Sequence, residues 1–474
     1  MKEQTFRIET DSMGEVRVPA SAYYGAQTQR AVQNFPISGL RFPRQLIRAL
    51  GLIKAAAAQV NLELGFVSRE VAEAINQAAR EVAEGKLDDQ FPVDIFQTGS
   101  GTSSNMNANE VIANRAIELL GGEIGSKSPV HPNDHVNRGQ SSNDVIPTAI
   151  HLAVAENISG GLMEALKACE HELLAKSKKF DPIVKIGRTH LQDATPVRLG
   201  QEFGGYARQM SLARERIELA LAGLMELALG GTATGTGLNA PSGFAAKVIA
   251  LLAEETNLPL VEARDHFAAQ GGQDGLVAAS GSLRGLAVTL TKIGNDIRLL
   301  ASGPRCGLGE LELPSVQPGS SIMPGKVNPV IIESLLQVAV QVIANDWAVA
   351  MGGQAGILEL NVMLPVMAYN LLQSVELLKT SIANFTERCL KGLGANEQRC
   401  QELVEQSLAL CTPLAVEVGY DKAAHLAHMA YKGGKTVREV ALELNILPKE
   451  KLEEILDAAE MTRPGIPGHG KKKV

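Results

Sequence analysis

Four short polar segments interrupt a chain that is otherwise rich in alanine and leucine. In chain order they are segment 1 (98–107), segment 2 (131–144), segment 3 (187–196) and segment 4 (319–328). Their hydroxyl, amide and glycine backbone N–H groups are hydrogen-bond donors that suit a small anion such as a carboxylate. Segment 3 adds a histidine, an acid or base near neutral pH, and segment 4 adds a lysine. This combination predicts a site for a small dicarboxylate with acid–base chemistry.

Segment 1 reads TGSGTSSNMN and places Ser100, Gly101 and Thr102 side by side. Small hydroxyl residues next to glycine let donors approach an anion closely. The same pattern is typical of an N-cap and turn, here before a helix that starts near Asn109. Taken alone, the segment favours the cap.

Segment 2 contains two polar groups. They are His131, Pro132, Asn133 and Asp134, followed by Ser141, Ser142 and Asn143. The histidine and aspartate could suggest a metal site, but the intervening proline and asparagine spoil the ligand geometry, so we expect no metal. Ser141 or Ser142 is expected to cap the next helix.

Segment 3 contains Thr189 and His190 and is followed by a glycine-containing helical stretch. In isolation this histidine favours a structural role over a catalytic one. Its ordinary pKa near neutrality nevertheless makes it the natural proton donor or acceptor of the chain.

Segment 4 reads GSSIMPGKVN, and its glycines and proline allow a tight, exposed loop. An ordinary surface connection is the alternative, but it would expose Ile322 and Met323 for no purpose. A lid that closes over a small anion is therefore the favoured interpretation.

The elements that must position these segments are predicted to be helices. A chain of 474 residues with 45% hydrophobic and only 4% aromatic residues favours helix and more than one domain. The breaks indicate an N-terminal domain (1–138), a central long-helix domain (139–396) and a small C-terminal helical domain (397–474). The stretch 330–351 is apolar on all sides, so we expect other subunits to complete a bundle around it.

Net charge, cysteine content and the first residues of the chain bear on the expected partners, cofactors and cellular location. A formal net charge of −7 gives no reason to expect nucleic acid or an anionic membrane as partner. Five cysteines without a CxxC pair fit free thiols in the cytoplasm and disfavour an iron–sulfur cluster. The first residues, Met1 to Gln4, lack the apolar stretch of a signal peptide.

Segment 4 matches the GSSxMPxKxN signature of the fumarase/aspartase superfamily, and the other three segments follow in the family's order. The chain resembles this superfamily over nearly its whole length, and the class II, iron-independent fumarases most closely. The resemblance implies a three-domain, all-α fold with a central long-helix bundle, assembled as a homotetramer with a twenty-helix core. It further implies reversible hydration of fumarate to L-malate in the tricarboxylic acid cycle, without cofactor or metal, in active sites shared between three subunits.

The resemblance also assigns roles to single residues. Ser320 resembles the catalytic base, His190 its partner in proton transfer, and Glu333 the residue that orients His190. The family's substrate-binding positions correspond to Ser100, Gly101, Thr102, Ser141, Ser142, Asn143, Thr189, Ser321, Lys326, Val327 and Asn328. A second, non-catalytic dicarboxylate site corresponds to His131, Pro132, Asn133 and Asp134.

Two alternatives share this scaffold. An aspartase is suggested by 329–330 and 360–363, and 262–275 departs from the usual fumarase pattern, whereas Thr189-His190 is fumarase-like because aspartases tend to have glutamine at the second position. A non-catalytic, crystallin-like protein would be expected to lack a catalytic group, but His190, Ser320 and Lys326 are all present. The groups at the reacting atoms therefore favour the fumarase.

Overall fold

Helix dominates the structure, as the composition predicts. The computed structural model describes residues 5–469. In that range β-structure consists of five two-stranded sheets and one isolated bridge between Arg41 and Asp94. The predicted all-α class is confirmed.

Seventeen α-helices lie in the described range. The first nine are α1 (Ala26–Asn34), α2 (Arg44–Glu63), α3 (Arg69–Ala83), α4 (Thr102–Leu119), α5 (Ser142–Asn157), α6 (Met163–Phe180), α7 (Leu199–Ala222), α8 (Phe244–Thr256) and α9 (His266–Gly271). The others are α10 (Asp274–Leu300), α11 (Val330–Gly353), α12 (Leu364–Phe385), α13 (Glu397–Gln406), α14 (Cys411–Val418), α15 (Tyr420–Gly433), α16 (Val437–Glu443) and α17 (Lys449–Ile455). Short π-helical turns cover Pro132–Val136, Ile158–Leu162 and Thr386–Leu390.

The strands form local pairs rather than a core sheet. They are β1 (Phe6–Asp11), β2 (Gly14–Pro19), β3 (Val184–Thr189), β4 (Gln192–Arg198), β5 (Glu226–Leu227), β6 (Val261–Glu262), β7 (Leu311–Glu312), β8 (Gly356–Ile357), β9 (Leu360–Asn361) and β10 (Gly394–Ala395). The pairs β1–β2, β3–β4, β7–β10 and β8–β9 are antiparallel, and β5–β6 is parallel.

The chain divides into two compact units, and five helices, α6, α7, α10, α11 and α12, contribute residues to both. The first unit comprises Met1–Glu164, Ala213–Val288 and Val338–Thr380, and the second comprises Ala165–Leu212, Thr289–Gln337 and Ser381–Val474. The three-domain division at 138 and 396 remains a prediction.

Helices α2 and α3 pack closely in the first unit because a glycine lies at their contact. A Cβ atom on Gly51 would lie 2.7 Å from the backbone nitrogen of Ala83 and 2.8 Å from the carbonyl oxygen of Ala79. Both distances are shorter than a carbon can tolerate, so a larger residue would push the helices apart. This packing supports Lys54 on α2, which lies beneath segment 2.

The core of the second unit gathers the C-terminal helices against the hairpin β3–β4. Ile186 of β3 is buried together with Leu414, Leu426 and Leu452 from three helices. Apolar burial of this kind stabilises a hairpin that would be marginal alone in water. The C-terminal helices therefore support the strand that carries segment 3.

Helix α11 begins and ends close to the predicted limits, but one chain does not bury it on all sides. Val340, Ile343, Trp347 and Met351 are 68%, 39%, 71% and 47% exposed. Within the described residues this is also the one helix long and apolar enough to cross a membrane by length and composition, a criterion that buried core helices meet as well.

Candidate active site

Segment 1 forms a turn and the first turn of α4, which begins at Thr102 rather than near Asn109. Gly101, at the N-cap, has a φ of 73°, a conformation that glycine adopts readily. The hydroxyls of Ser100 and Thr102 are 2.8 Å apart and share a hydrogen bond. The segment therefore presents hydroxyl groups at a helix N-terminus, where backbone N–H groups also favour an anion.

A close backbone contact fixes this turn. The N–H of Leu364 donates to the carbonyl oxygen of Gly99 at 3.0 Å. A Cβ atom on Gly99 would lie 1.7 Å from the carbonyl oxygen of Val362. The turn thus rests directly on the segment between β9 and α12 and on the first residue of α12, and position 99 has room only for glycine.

Segment 2 begins α5 with the predicted cap. Ser141 is the N-cap, and its hydroxyl accepts from the N–H of Asn143, while Asp144 accepts from the N–H of Ser141 in a reciprocal capping box. Asp144 also accepts from the backbone N–H groups of Gly230 and Thr232. Burial raises the pKa of Asp144 to about 6, and these hydrogen bonds oppose the rise.

Segments 1 and 2 are brought together inside the first unit. Asn105 donates to the hydroxyl of Ser142 at 3.0 Å and to Asn137 at 3.2 Å. Lys54, which is fully buried, donates at 2.9 Å to both Asn137 and Gln140. Burial lowers the pKa of Lys54 to about 7, and the negative charge of Asp144 opposes this shift.

One contributor to this region was not among the sequence-predicted residues. Asn143 donates to the carbonyl oxygen of Ala233 at 2.8 Å, and the loop that holds Ala233 also meets Asp144. This loop contains GGTATGTG at 230–237, a run of glycines and threonines like segment 1. That composition was the signal that could have identified it.

His131 is the N-cap of the short π-helical turn Pro132–Val136. Its Nδ1 accepts from the N–H groups of Asn133 and Asp134, each at 3.2 Å. A carboxylate oxygen of Asp134 also lies 3.3 Å from this nitrogen. Asn133 and Asp134 are exposed beside it, whereas Pro132 is buried.

Segment 3 forms the tip of the hairpin β3–β4, not the loop before a helix. Thr189 pairs with Gln192, and the tip residues His190 and Leu191 have φ values of 55° and 61°. Both are in the left-handed region, which is uncommon for residues other than glycine and is found at functional sites. Thr189 and His190 are exposed on this tip.

Segment 4 is a compact loop that aims backbone amides at Ser320. The hydroxyl oxygen of Ser320 accepts from the N–H of Ile322 at 3.2 Å and of Met323 at 3.1 Å. The loop is closed by the N–H of Gly319 on the carbonyl of Lys326 and by the amide of Asn328 on the carbonyl of Gly319. Two amide donors on one hydroxyl oxygen would stabilise negative charge there.

The remaining segment 4 side chains face outward. Ser321, Lys326 and Val327 are exposed, and Lys326 has no ion pair within residues 5–469. A cavity of about 490 Å³ beside the loop is lined by residues between Ser315 and Val327. The charge of Lys326 is therefore available to a ligand.

The single chain does not join the predicted catalytic residues by hydrogen bonds. Glu333 is exposed on the first turn of α11, and in the described range no hydrogen bond links it, His190 or Ser320 to one another. No group of three or more His, Cys, Asp or Glu side chains in that range could hold a metal ion.

Comparison with known proteins identifies the family. A model described as lyase matches residues 14–344, and one described as fumarase C C-terminus matches residues 410–463. Fumarate hydratase class II of Halobacterium salinarum is 55% identical over 463 residues, which are 98% of this chain and 98% of that protein. The chain belongs to the class II fumarase family.

Two further relatives extend this similarity to animals. Mitochondrial fumarate hydratase of Rattus norvegicus is 52% identical over 464 residues, covering 98% of this chain and 91% of the relative. The crystal structure of a class II fumarase from Schistosoma mansoni superposes with a TM-score of 0.94 at 43% identity, covering 97% of this chain and all of the other. The fold is therefore that of the family along nearly the whole chain.

Proposed function

We propose that this protein is a fumarate hydratase, a hydro-lyase that interconverts fumarate and L-malate, and that it acts in the tricarboxylic acid cycle. The observation that carries the proposal is the 52–55% identity to fumarate hydratases over nearly the full chain. Segment 4 and the Thr189-His190 pair agree with this assignment at the residues proposed to react.

Ser320 is proposed as the base that removes a proton from the malate carbon next to a carboxylate. Such a proton is weakly acidic, and a serine hydroxyl is a poor base unless its alkoxide is stabilised. The N–H groups of Ile322 and Met323 donate to this oxygen and supply that stabilisation. Lys326 would stabilise the negative charge that develops on the substrate carboxylate.

His190 is proposed to assist the departing hydroxyl, through a water molecule, from the opposite face of the substrate. The carbon proton passes to Ser320, the hydroxyl of the neighbouring carbon leaves as water with a proton relayed by His190, and a double bond forms between the two carbons. Proton exchange of both residues with solvent then restores the starting state, so that malate has lost one water overall. Glu333 would orient His190. The carboxylates would be held by Ser100, Gly101, Thr102, Ser141, Ser142, Asn143, Thr189, Ser321, Lys326, Val327 and Asn328.

A second dicarboxylate site is proposed at His131, Pro132, Asn133 and Asp134. The exposed side chains of Asn133 and Asp134 and the backbone of the π-helical turn would meet the ligand there. The site would not take part in the chemistry.

The enzyme is proposed to be a soluble, cytoplasmic homotetramer with a twenty-helix core and three domains in each subunit. The exposed apolar residues of α11 support the assembly, because an apolar surface of this kind marks an interaction site. Four of the five cysteines are buried and all five are free, which fits a reducing compartment. Active sites shared between three subunits would account for the missing contacts among His190, Ser320 and Glu333.

The test is an assay of the purified protein with L-malate and, separately, with L-aspartate. Fumarate should form from malate, seen as ultraviolet absorbance of its double bond, with no release of ammonia from aspartate. Ammonia from aspartate without dehydration of malate would assign the chain to the aspartases, as 360–363 would allow. Turnover of neither substrate would favour a non-catalytic, crystallin-like role.

A further inference from the structure

A group of four charges, two of them buried and two partly buried, lies under the hairpin that carries His190, and no step of the proposed chemistry uses it. Its members, all in the second unit, are Lys185 and Arg188 on β3, Glu202 on α7 and Glu310 before β7. Lys185 is 1% exposed and Glu310 is fully buried. Charges this deep destabilise a fold unless they are paired, so their arrangement needs a reason.

The two carboxylates of this group, Glu202 and Glu310, differ in their hydrogen-bond and ion-pair partners. The carboxylate of Glu310 accepts hydrogen bonds from both Nη atoms of Arg188, at 2.8 and 3.0 Å. One of its oxygens also lies 3.6 Å from the amine nitrogen of Lys185. Glu202 meets only Lys185, at 3.0 Å, and its second oxygen has no hydrogen-bond partner within residues 5–469. A paired guanidinium–carboxylate contact fixes orientation as well as distance, whereas a single contact to an amine does not.

Glu310 is itself held from two sides by backbone. Its N–H donates to the carbonyl of Leu300 at the end of α10, and its carbonyl accepts from the N–H of Asn396, just before α13. Glu310 is therefore anchored to elements outside the hairpin. It is a fixed point to which Arg188, two residues before His190, is tied.

The hairpin needs such an anchor because its tip is exposed and its backbone is strained. His190 and Leu191 both have positive φ values, a backbone conformation that is unfavourable for residues with a Cβ atom. A register irregularity lies between Ile186 and Arg188, immediately before the tip. Strand pairing is interrupted at this irregularity. Without a fixed contact at Arg188, the direction of the tip would therefore depend on the interrupted part of β3.

We propose that Glu310 is a positioning residue for catalysis: through Arg188 it sets the direction of the hairpin tip and so the place of His190. The inference rests on the proposed hydration of fumarate. It assigns Glu310 a function in turnover that Glu202, a carboxylate in the same charge group, does not share.

The test compares E310Q with the matched control E202Q in the full-length protein. Both changes remove one carboxylate from Lys185, but only E310Q frees Arg188. We expect kcat to fall about a hundredfold in E310Q, the size of effect that a displacement near 1 Å can produce, and to stay within about twofold in E202Q. Hydrogen exchange at 184–198 should become faster in E310Q only.

A second pair of variants covers the case in which E310Q does not fold. R188K keeps the charge but cannot make the paired contact, and should lose turnover as E310Q does. E310D, which keeps a carboxylate, should recover part of the kcat. Equal kcat values for E202Q and E310Q, or full activity in R188K, would overturn the positioning role. An inactive wild-type protein would instead refute the proposed function.

Discussion

At the residue scale, the reactivity of the site depends on backbone amides as much as on side chains. Ser320 has no acidic or basic neighbour bound to its hydroxyl in the described range, but two N–H groups of its own loop donate to it. Donors fixed in place before the reaction stabilise developing charge without reorganising. The backbone of the short loop between Gly319 and Asn328 therefore supplies the stabilisation of negative charge on the Ser320 oxygen.

Replacing Ser320 by alanine tests this role directly. The S320A variant should lose about 10²–10⁴-fold in kcat, the usual contribution of a positioned base, because no other group takes its place. Steady-state kinetics with L-malate would measure the loss. Ser315, exposed in the same loop region, provides the control, and S315A should keep wild-type kcat. Full turnover by S320A would remove Ser320 from the mechanism.

Lys54 leads to a prediction about pH and stability. Burial lowers its pKa from 10.5 to about 7, so between these values the unfolded chain binds more protons than the folded one. The free energy of unfolding should therefore rise with pH across this range. K54M lacks the group, so the difference in stability between wild type and K54M should increase from about pH 7.5 to pH 10.

Denaturant unfolding of both proteins at several pH values would measure this difference. Lys176 offers a comparison, since it is a second buried lysine, it donates to the backbone carbonyls of Lys391 and Leu393, and burial lowers its pKa as well. Loss of Lys176 should not remove the pH dependence that K54M removes. A difference that stays flat or falls with pH would show that Lys54 remains charged in the folded protein.

At the element scale, the polar segments are rigid because secondary structure begins or turns inside them. Segment 1 lies at the N-terminus of α4, segment 2 contains the capping box of α5, and segment 3 is a hairpin tip. Helix N-termini favour anions because their first N–H groups are unpaired. The elements therefore both place the donors and supply some of them.

The contact between Gly99 of segment 1 and Val362, just after β9, predicts the effect of a single methyl group. In G99A the new Cβ would lie 1.7 Å from the carbonyl of Val362, so one backbone must move. We expect a loss of about 1–3 kcal/mol in stability, together with a raised KM because Ser100 and Thr102 shift.

Thermal unfolding and kinetics would separate these two effects. Gly160 provides the matched control, because a Cβ there meets nothing within 4 Å. G160A should leave both the midpoint of unfolding and KM near their wild-type values. If G99A kept the wild-type midpoint of unfolding and the wild-type KM, segment 1 would be able to accommodate the methyl group without any effect on stability or substrate binding.

At the scale of the whole molecule, the isolated chain leaves an apolar line along α11. Val340, Ile343, Trp347 and Met351 are spaced three to four residues apart, which puts them on one side of the helix. Burying such residues between subunits would contribute about 1.5–3 kcal/mol for each large side chain. The proposed tetramer would use this surface.

A charge in the middle of that line should prevent assembly. W347E is expected to yield smaller species in light scattering after gel filtration and to lose malate dehydration, because shared active sites could not form. Met13, 80% exposed in the β1–β2 turn, provides the control, and M13E should remain assembled and active. A W347E protein of wild-type mass would place the subunit interface elsewhere.

The sequence alone determined features that depend on neighbours along the chain. The limits of α11, the cap at Ser141 and the tight turn in segment 4 follow from residue types within a few positions of one another. Helix formation, capping and turn formation are local, so a local pattern is enough to predict them. The four segments and the family could be identified for the same reason.

Tertiary structure alone decided which distant groups meet. Arg188 and Glu310 are 122 positions apart, and Lys54 lies 83 positions from Asn137. In the sequence, a single glutamate or lysine cannot be told from a solvated surface charge. Only the packing of the chain removes water from such a side chain and brings a charged or polar partner within hydrogen-bond distance of it. The hairpin at His190 was missed because its strands are held by the buried helices of the C-terminal region, which no pattern within 187–196 reveals.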